Sequence, residues 1–568
     1  MCGYRKSAAL RTLILSAGLL LLTASLCAQE STPPVVLPRT SQQLISCSIS
    51  GVVVRAQTGE PLKKARVAIY SLNEDRHGYS ATTNDAGRFL LEGIAPGNYE
   101  LKVERTGFVT QSFGVDPSNG HRVNLALDAG KKISNLLVRM PLWAVISGRI
   151  TDQDGDPVAN AEVSALQSYV DEGHRKLSPS QTALTNDLGE YRLYGLAKGR
   201  YYLHTEYTER SPVTMLRSTS EDSTTAYAPI FYPGTADVSR ATTVTLASGQ
   251  ELPSVDFRLV ATRAMRIRGH VYSAIPGKRP PLLCCVYLKP RNNISGTNTF
   301  SRPGYPLGIK GDFEIDAVVP GSYFIVAAVG GHIIVHAARI PVEVSNANLE
   351  DVNLTLFPGV DLTGRITVEG REPFDRSTLQ VSLTSADPET PGVDAVVRRD
   401  GTFEFGVVAL GSYEFNVYAR PPGAYLKSAR NNGADFLNGR LDVSTEGSHG
   451  PLEITMSLGG YQLDGAVTAA DGLPVAGARV VLIPEGNKRK LYLLYKDVVT
   501  DQNGKFILQG IAPGDYKVFA WQDVEYNEWE DFEFLKPFEG RGVEVHAEEN
   551  GHSSVTLKVL AGAESELP

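Results

Sequence analysis

Residues 500–516 read Thr500-Asp-Gln-Asn-Gly-Lys-Phe-Ile-Leu-Gln-Gly-Ile-Ala-Pro-Gly-Asp-Tyr516, and the chain carries five versions of this stretch. Every version has a turn glycine, an aromatic residue two positions later, a second glycine ten positions after the first and a tyrosine two positions after that. The turn glycines are Gly87, Gly189, Gly311, Gly401 and Gly504, and the closing tyrosines are Tyr99, Tyr201, Tyr323, Tyr413 and Tyr516. Self-similarity at a recurring interval predicts repeated structural units.

A short opening strand precedes each version and carries a glycine of its own. These strands lie at residues 49–54, 146–150, 267–271, 362–366 and 463–467. Alternating β-branched residues predict half-buried strands. The opening glycines Gly51, Gly148, Gly269, Gly364 and Gly465 stand 95 to 121 residues apart, which gives the length of one unit. Helical periodicity is nearly absent, so we expect an all-β array of five sandwiches.

The signature predicts two strands joined by a tight link. A turn such as Asn503-Gly504 leads into a strand whose aromatic residue faces the core. The closing tyrosine begins the next strand, and we expect its ring to be buried at the sandwich edge while its hydroxyl bonds to the backbone. Junctions between units are short, as in residues 139–147, and short junctions favour an elongated rod.

Residues 1–28 have the pattern of a cleaved signal peptide. Basic residues precede an apolar run, and Leu26-Cys-Ala28 before Gln29 suits signal peptidase. The run is short for a retained anchor, and Leu26 stands where lipid-attachment sites take a small residue, so a lipoprotein acylated at Cys27 is the less favoured alternative. The mature chain has no stretch apolar enough to span a membrane as a helix. We therefore expect an exported protein, located in the periplasm, on the outer surface or in the medium.

Charge and composition limit the classes of ligand and the disulfide pattern that we expect of the mature chain. Removal of residues 1–28 takes away three positive charges and moves the net charge from −8 to −11, which argues against nucleic acid. Residues 29–44 are rich in Pro, Ser, Thr and Gln and predict a disordered leader. Three mature cysteines, Cys47, Cys284 and Cys285, cannot form a disulfide framework across five units. At least one of the adjacent pair is expected to act as a small buried hydrophobe.

The full pattern resembles the carboxypeptidase regulatory-like domain. It consists of Gly-x-Pro with a following Ala-x-Val, then Thr-Asn/Asp-x-x-Gly-x-Phe/Tyr, then Gly-Ile-Ala-Pro-Gly-x-Tyr. The match is strong in units one, two and five and weaker in three and four, where Ala317, Val407 and Leu410 replace signature residues. The resemblance implies transthyretin-like sandwiches of about seven strands, related to immunoglobulin-like, starch-binding-like (carbohydrate-binding-like) and Cna B-type folds. It also implies a binding or accessory role, and it transfers no catalytic residues.

The expected organisation follows from these boundaries. Residues 1–28 are the signal peptide and 29–44 the leader, and the sandwiches span 45–140, 141–262, 263–357, 358–458 and 459–563.

Catalytic and metal motifs give little signal. His546-Ala-Glu-Glu549 has the spacing of a zinc carboxypeptidase ligand pair, but too few residues follow for a catalytic domain. Asp152-Gln-Asp-Gly-Asp156 offers carboxylates for calcium, although a solvated turn is the favoured interpretation. The opening strands carry no recurrent lysine for an internal isopeptide bond. We therefore predict no enzyme, no cofactor and no metal site.

Aromatic residues near acidic ones are the best candidate for ligand binding. Trp521, Asp523, Tyr526 and Trp529 follow the last signature tyrosine, and Tyr227, Phe231 and Tyr232 lie in an insert of unit two. Flat rings beside carboxylates suit stacking on sugars. The alternative is that the rings pack over the open end of a sandwich, as a cap on an array would.

The predicted function is a non-enzymatic exported binding or scaffold protein of the cell envelope, with a glycan or a protein as ligand. The alternative is an accessory or regulatory subunit of a separately encoded peptidase or outer-membrane transporter.

Overall fold

The structure is a computed structural model. It describes residues 46–561 except for 72–77, 114–124, 208–224, 275–283, 292–304, 307–310, 331–333, 371–373, 387–389, 391, 446–449, 502, 523 and 526. The predicted signal peptide and leader therefore lie outside the described residues. In the part of the chain that is described, no helix has the length and apolarity needed to cross a membrane.

The first sandwich contains two sheets. Its strands are β1 (Cys47–Arg55), β2 (Arg66–Ser71), β3 (Gly78–Thr82), β4 (Arg88–Ile94), β5 (Gly97–Glu104), β6 (Gln111–Phe113), β7 (Leu125–Leu127) and β8 (Lys132–Met140). One sheet has the order β4-β1-β8, and the other has the order β3-β2-β5-β6 with β7 also paired to β5.

The second sandwich has the longest hairpin. Its strands are β9 (Ala144–Thr151), β10 (Glu162–Asp171), β11 (His174–Leu184), β12 (Glu190–Leu196), β13 (Gly199–Glu206), β14 (Thr225–Tyr227), β15 (Ile230–Phe231), β16 (Val244–Leu246), β17 (Glu251–Leu252), β18 (Phe257–Arg258) and β19 (Ala261–Arg263), with a 3-10 helix at Val238–Arg240. One sheet runs β12-β9-β17 with β18 also on β9, and the other runs β11-β10-β13-β15 with β16 on β13. Strands β14 and β19 form a separate pair.

The third and fourth sandwiches repeat this plan. The third has β20 (Met265–Ser273), β21 (Cys284–Pro290), β22 (Tyr305–Pro306), β23 (Asp312–Val318), β24 (Gly321–Gly330), β25 (Ile334–Val344) and β26 (Leu349–Leu356). The fourth has β27 (Val360–Glu369), β28 (Gln380–Ser385), β29 (Val393–Val396), β30 (Thr402–Val408), β31 (Gly411–Tyr418), β32 (Tyr425–Asn431), β33 (Ala434–Asp435), β34 (Leu441–Val443) and β35 (Leu452–Ser457), with a 3-10 helix at Arg376–Thr378. The sheets are β23-β20-β26 and β22-β21-β24-β25, then β30-β27-β35-β32-β33 and β29-β28-β31-β34.

The fifth sandwich carries the described α-helix. Its strands are β36 (Tyr461–Thr468), β37 (Arg479–Pro484), β38 (Lys496–Val499), β39 (Lys505–Ile511), β40 (Gly514–Trp521), β41 (Val543–Ala547) and β42 (His552–Lys558). Helix α1 spans Phe532–Leu535, and 3-10 helices span Gly486–Lys490, Tyr492–Leu494, Glu528–Glu530 and Lys536–Arg541. The sheets are β39-β36-β42 and β38-β37-β40-β41. The prediction of tandem β-sandwiches is confirmed.

Each sandwich closes by pairing its first strand with a late strand in parallel. The pairs are β1 with β8, β9 with β17 and β18, β20 with β26, β27 with β35, and β36 with β42. The signature strand lies antiparallel on the other side of the first strand. The opening strand is therefore central, and both of its neighbours depend on its geometry.

The opening glycine is required because the chain is crowded at this point. It lies opposite the signature aromatic in all five units, in the pairs Gly51–Phe89, Gly148–Tyr191, Gly269–Phe313, Gly364–Phe403 and Gly465–Phe506. A Cβ at Gly465 would meet the backbone oxygen of Val555 on β42 and the ring of Phe506. Absence of a side chain thus lets the aromatic ring lie across the central strand.

The closing tyrosine makes the same hydrogen bond in every unit. Its hydroxyl donates to the carbonyl oxygen four residues earlier, at 2.8–2.9 Å: Tyr99 to Ala95, Tyr201 to Ala197, Tyr323 to Val319, Tyr413 to Ala409 and Tyr516 to Ala512. Four of the rings are buried and Tyr323 is half-buried. This confirms the sequence-based expectation of a buried ring with a backbone partner. The tyrosine thus holds the link between the two signature strands, which is Ala-Pro-Gly in units one and five, against the edge of the core.

A threonine joins two further strands in units one, two and five. The hydroxyls of Thr83, Thr185 and Thr500 each donate to one backbone carbonyl and accept from a backbone amide, and all three are buried. The amides belong to Ala65, Ala161 and Ala478, the small residues of the Ala-x-Val strand. Units three and four have Leu307 and Val397 at the threonine position.

The prediction of an elongated rod is wrong. The second and fifth sandwiches, which a rod would keep apart, are joined by an ion pair of 3.2 Å between Arg175 and Asp531. A second ion pair of 2.5 Å joins Glu172 of the second sandwich to Arg440 of the fourth. Short junctions limit the freedom between neighbouring units, but they do not determine the direction in which the chain continues.

The tyrosine hydrogen bond can be tested in the fourth sandwich. Tyr413→Phe keeps the ring but leaves the Ala409 carbonyl without its donor, so we expect the free energy of unfolding to fall by about 1 kcal/mol. The measurement is urea denaturation of residues 29–568, with Tyr418→Phe as control because that ring is exposed. Equal stability of the two variants would contradict a role for the hydroxyl.

Candidate functional site

The two tryptophans that are candidates for ligand binding, Trp521 and Trp529, are buried. Trp521 is 0% exposed and Trp529 is 2% exposed, so neither indole offers an open face to a ligand in this structure. They belong to a cluster that also contains Val481, Ile483, Phe519, Leu535, Phe538 and Leu560. The burial favours the alternative interpretation, in which the aromatic segment packs over one side of the last sandwich.

Ring geometry explains why this cluster is well packed. Trp521 stacks on Phe519 with ring centroids 5.3 Å apart and meets Phe538 edge-on at 5.6 Å. The guanidinium of Arg479 lies 5.3 Å from the Trp529 ring centroid and forms an ion pair of 2.7 Å with Asp497. The Trp521 Nε1 group is buried and has no hydrogen-bond partner among the residues that the structure describes. A core role, and not a polar recognition role, is therefore consistent with this side chain.

The remaining predicted residues do not form one site. Asp523 and Tyr526 lie outside the described residues. Tyr227 and Tyr232 are half-buried against the core of the second sandwich, while Phe231 is buried beside Leu166 and Leu177. These three rings belong to clusters other than that of the tryptophans. The structure thus separates the two candidate aromatic groups.

His546 and Glu549, the two residues with the spacing of a zinc ligand pair, have different partners. His546 is exposed and lies 2.6 Å from Asp515, whereas Glu549 accepts hydrogen bonds from Ser457 and Tyr425 of the fourth sandwich. Among the residues that the structure describes, no group of three or more His, Cys, Asp or Glu side chains is placed to hold a metal ion.

The aspartate-rich turn of unit two has a local structural use. Asp152 Oδ1 accepts the amides of Asp154 and Asp156 at 2.9 Å, and the three side chains are half-buried or exposed. This is the arrangement of a carboxylate that caps its own turn.

A hairpin of the second sandwich reaches the two sandwiches that follow later in the chain. Strands β10 and β11 are joined by Glu172 and Gly173, whose φ angles of 49° and 70° match a two-residue hairpin turn. A Cβ at Gly173 would collide with the hydroxyl of Tyr492 in the fifth sandwich. Glycine is therefore needed both for the turn and for the close approach of Tyr492.

The segment that contacts this hairpin tip lies between β37 and β38 of the fifth sandwich. Its two 3-10 helices place Tyr492 and Tyr495 side by side, with ring centroids 5.6 Å apart. Arg489 pairs with Glu539, and the Tyr495 hydroxyl donates to the Arg489 carbonyl at 2.9 Å. Leu493 packs against the core of the fourth sandwich. The segment is thus anchored at both ends and bridges two sandwiches.

A cavity of about 560 Å³ lies where these three sandwiches meet. The second sandwich contributes its hairpin tip, the fourth contributes the segment around β32 and β33, and the fifth contributes the segment before β38. The charged and tyrosine residues of its wall are Glu172, Glu414, Arg420, Arg440, Lys490, Lys496, Tyr425 and Tyr492. This volume is in the range of pockets that bind small organic ligands.

The charges of the cavity wall are unevenly compensated. Glu172 is paired with Arg440, and burial together with the neighbouring Glu172 raises the pKa of Glu414 to about 7. Burial and then Arg420 lower the pKa of Lys496 to about 8, and burial also lowers the pKa of Arg420. Both cations keep some solvent exposure because they border the cavity, but protein surrounds them closely enough to disfavour their charge.

An acidic group lies at the contact between the second and fifth sandwiches. Burial raises the pKa of Glu530 to about 8, and Asp171 and Glu172 of the hairpin act in the same direction. Nearby backbone amides of the hairpin turn oppose this shift only in part. Near neutral pH the Glu530 carboxyl is therefore largely protonated.

The sequence patterns did not indicate these cavity residues. Apart from Gly510 and Ala512, they lie outside the repeated signature, and three separate units contribute them, so spacing along the chain carries no signal of their proximity. The segments do share one property, which is that they lie where the copies differ in length and composition. That difference is the signal that could have directed attention to them.

Comparison with known proteins identifies the repeat. The model of the carboxypeptidase regulatory-like domain matches residues 48–128, 145–260 and 462–558, which together are just over half of the chain. These are units one, two and five, in which the sequence pattern is strongest and a buried threonine hydroxyl bonds to two backbone groups. The matched domain type is regulatory-like and not catalytic.

Individual relatives are distant. BOS complex subunit NOMO1 of Mus musculus is 26% identical over 188 residues, which cover 30% of this chain and 14% of that protein. The match therefore covers about one seventh of the length of this curated relative.

Similar solved structures include the Bacillus anthracis TIE protein (12% identity, 74% of each chain, TM-score 0.15), the Streptococcal ancillary pilin (10%, 55% of this chain and 99% of that one, 0.17) and BcpA, the major pilin subunit of Bacillus cereus (10%, 55% and 99%, 0.14). These identities and TM-scores are too low to carry an argument about function.

Burial of the tryptophan cluster gives a stability prediction. Trp521→Ala should lower the free energy of unfolding by about 3–5 kcal/mol because it leaves a large cavity. Trp521→Phe should cost less, since it keeps an aromatic ring in the cluster and the Nε1 group has no partner in the described part of the chain. Phe532→Ala is the control because that ring is exposed, and it should change stability by less than about 0.5 kcal/mol. Urea denaturation measures all three, and a stable Trp521→Ala variant would contradict the core role.

The contact at Glu530 should be sensitive to pH. A carboxyl whose pKa is raised in the folded state contributes stability that is present below its unfolded value of 4.5 and is lost as pH rises through about 8. Between pH 6 and 9 we expect the wild type to lose about 1–2 kcal/mol more than Glu530→Gln, which keeps the neutral state.

The measurement is urea denaturation at both pH values, with amide hydrogen exchange of residues 171–175 reporting on the contact itself. Glu533→Gln is the control because that carboxyl is exposed on the same segment. Identical pH profiles for wild type and Glu530→Gln would contradict the assignment.

Proposed function

The chain belongs to the carboxypeptidase regulatory-like domain family, and we propose that it is a non-enzymatic exported protein that binds a glycan or another protein at the cell envelope. The observation that carries the proposal is the cavity among the second, fourth and fifth sandwiches. The residues of the repeated signature have roles in the fold, whereas most residues of the cavity wall lie outside that signature.

The cavity has the composition of a recognition site. The Tyr492 ring supplies flat apolar surface, and nearby charged groups supply directional contacts. Its walls come from units that are separated in sequence, so a ligand would contact three units at once. A scaffold role follows from the same arrangement, since bound material would be held at a fixed place in the array.

Export is part of the proposal because of the N-terminal sequence. The basic, apolar and small-residue regions of residues 1–28 are typical of a secretory signal. This region supports an envelope or extracellular location, in which glycans and envelope proteins are the available ligands.

Capture of a ligand by the immobilised mature chain, residues 29–568, tests this function. The chain is exposed to a glycan array and to detergent-solubilised envelope extract, alongside Tyr492→Ala and the control Tyr194→Ala, whose ring is exposed outside the cavity. We expect Tyr492→Ala to weaken capture by about threefold to tenfold, as loss of one stacking ring would.

Three outcomes are distinguishable. Capture that depends on Tyr492 supports the cavity as the site. Recovery of a peptidase or a transporter would favour the alternative of an accessory subunit. If the mature chain captures neither glycan nor protein, the binding function is contradicted.

A further inference from the structure

Among the residues that the structure describes, two cationic side chains of the cavity wall have no bonded partner. Neither the Arg420 guanidinium nor the Lys496 ammonium makes a hydrogen bond or an ion pair with these residues, although the other arginine of the wall, Arg440, is paired with Glu172. Protein surrounds both side chains closely enough to lower their pKa values. Partly buried charges are normally paired, because removing a charge from water is unfavourable.

The two cations are also close to each other. Arg420 lies just after β31 in the fourth sandwich, and Lys496 begins β38 of the fifth. The positive charge of Arg420 lowers the pKa of Lys496. Two like charges in one cavity repel, and an anion between them would relieve both the repulsion and the loss of hydration. An arginine fork and a lysine ammonium are the side chains that bind carboxylate and phosphate groups.

The acidic groups of the wall do not cancel this charge. Glu172 is already paired with Arg440, and burial together with the neighbouring Glu172 raises the pKa of Glu414 to about 7, which disfavours the charged form of this carboxyl. Asp497, adjacent to Lys496, is paired with Arg479 at 2.7 Å. Lys490 adds a further positive charge at the wall.

We propose that the cavity binds a small organic anion, whose carboxylate or phosphate group lies between Arg420 and Lys496 while its remaining part contacts Tyr492. This inference rests on the proposed binding function and specifies the chemistry of the ligand. A volume of about 560 Å³ accommodates a ligand of the size of one or two sugar rings. An acidic sugar or a sugar phosphate has both the charge and the flat face that this wall accepts.

Calorimetric titration of the mature chain tests the proposal. The probes are glucuronate, glucose 6-phosphate, inorganic phosphate and glucose, and the variants are Arg420→Gln and Lys496→Met. We expect glucuronate or glucose 6-phosphate to bind the wild type and to bind each variant about tenfold or more weakly, as loss of a charge-assisted hydrogen bond predicts. Glucose should bind weakly or not at all.

The anionic probes identify the charged group of the ligand. Binding of glucuronate alone indicates a carboxylate, and binding of glucose 6-phosphate or inorganic phosphate indicates a phosphate. Lys427→Met is the control, because this exposed lysine of the fourth sandwich is already paired with Glu369 and should leave affinity unchanged. Affinity should also fall when salt is raised, as expected for a charge-driven site.

Stability without ligand provides an independent readout. Lys496→Met removes an unpaired, partly buried charge, so its Tm should equal or exceed that of the wild type. A clear fall in Tm would mark Lys496 as a structural residue and overturn the assignment, as would anion binding that both variants retain.

Absence of binding by all three anionic probes would likewise overturn the proposal. The broader binding function would then still be judged by capture on the glycan array and from envelope extract, including capture of neutral glycans. Failure of the anion site and failure of the proposed function therefore give different results.

Discussion

The structure depends on one steric constraint, which is the close contact between the first strand of each sandwich and the strands on its two sides. At the opening glycine the backbone of the parallel neighbour occupies the space that a side chain would need, and in units two to five the signature aromatic ring occupies it as well. Because the ring crosses the central strand there, the core and the closure of the sandwich are fixed together. The same pairing occurs in all five units, including the two whose other signature residues have changed.

Units three and four show which parts of the pattern the fold can lose. They lack the buried threonine that joins two strands in the other units, yet their sheets have the same order of strands around the central one. They retain the opening glycine, the aromatic and the tyrosine with its hydrogen bond. The glycine–aromatic contact and the tyrosine therefore suffice for the topology, and the threonine adds stability to it.

The sequence predicted most of the fold because its determinants are local and repeated. Five glycines, five aromatics and five tyrosines at constant spacing have the same physical role each time. The arrangement of the five units and the candidate site were less predictable, because contacts between units depend on surface residues that are not part of the repeat. Trp521 shows the difficulty clearly, since an aromatic near carboxylates has the same sequence pattern whether it faces solvent or the core. Arg420 and Lys496 are 76 residues apart in sequence, and nothing in the spacing indicates that they share a cavity.

The ion pair between Arg175 and Asp531 has a consequence for how this array can change over evolutionary time. Arrays in which each unit contacts only its neighbours tolerate the gain or loss of whole units. Here the chain leaves the second sandwich and returns to it at the fifth, after two intervening sandwiches whose dimensions set the position of the return. Duplication or deletion of either would separate Arg175 from Asp531 and Gly173 from Tyr492. The number of units between the second and the fifth is therefore expected to be constrained, while the signature residues of the intervening units can vary, as the weaker signature of units three and four shows.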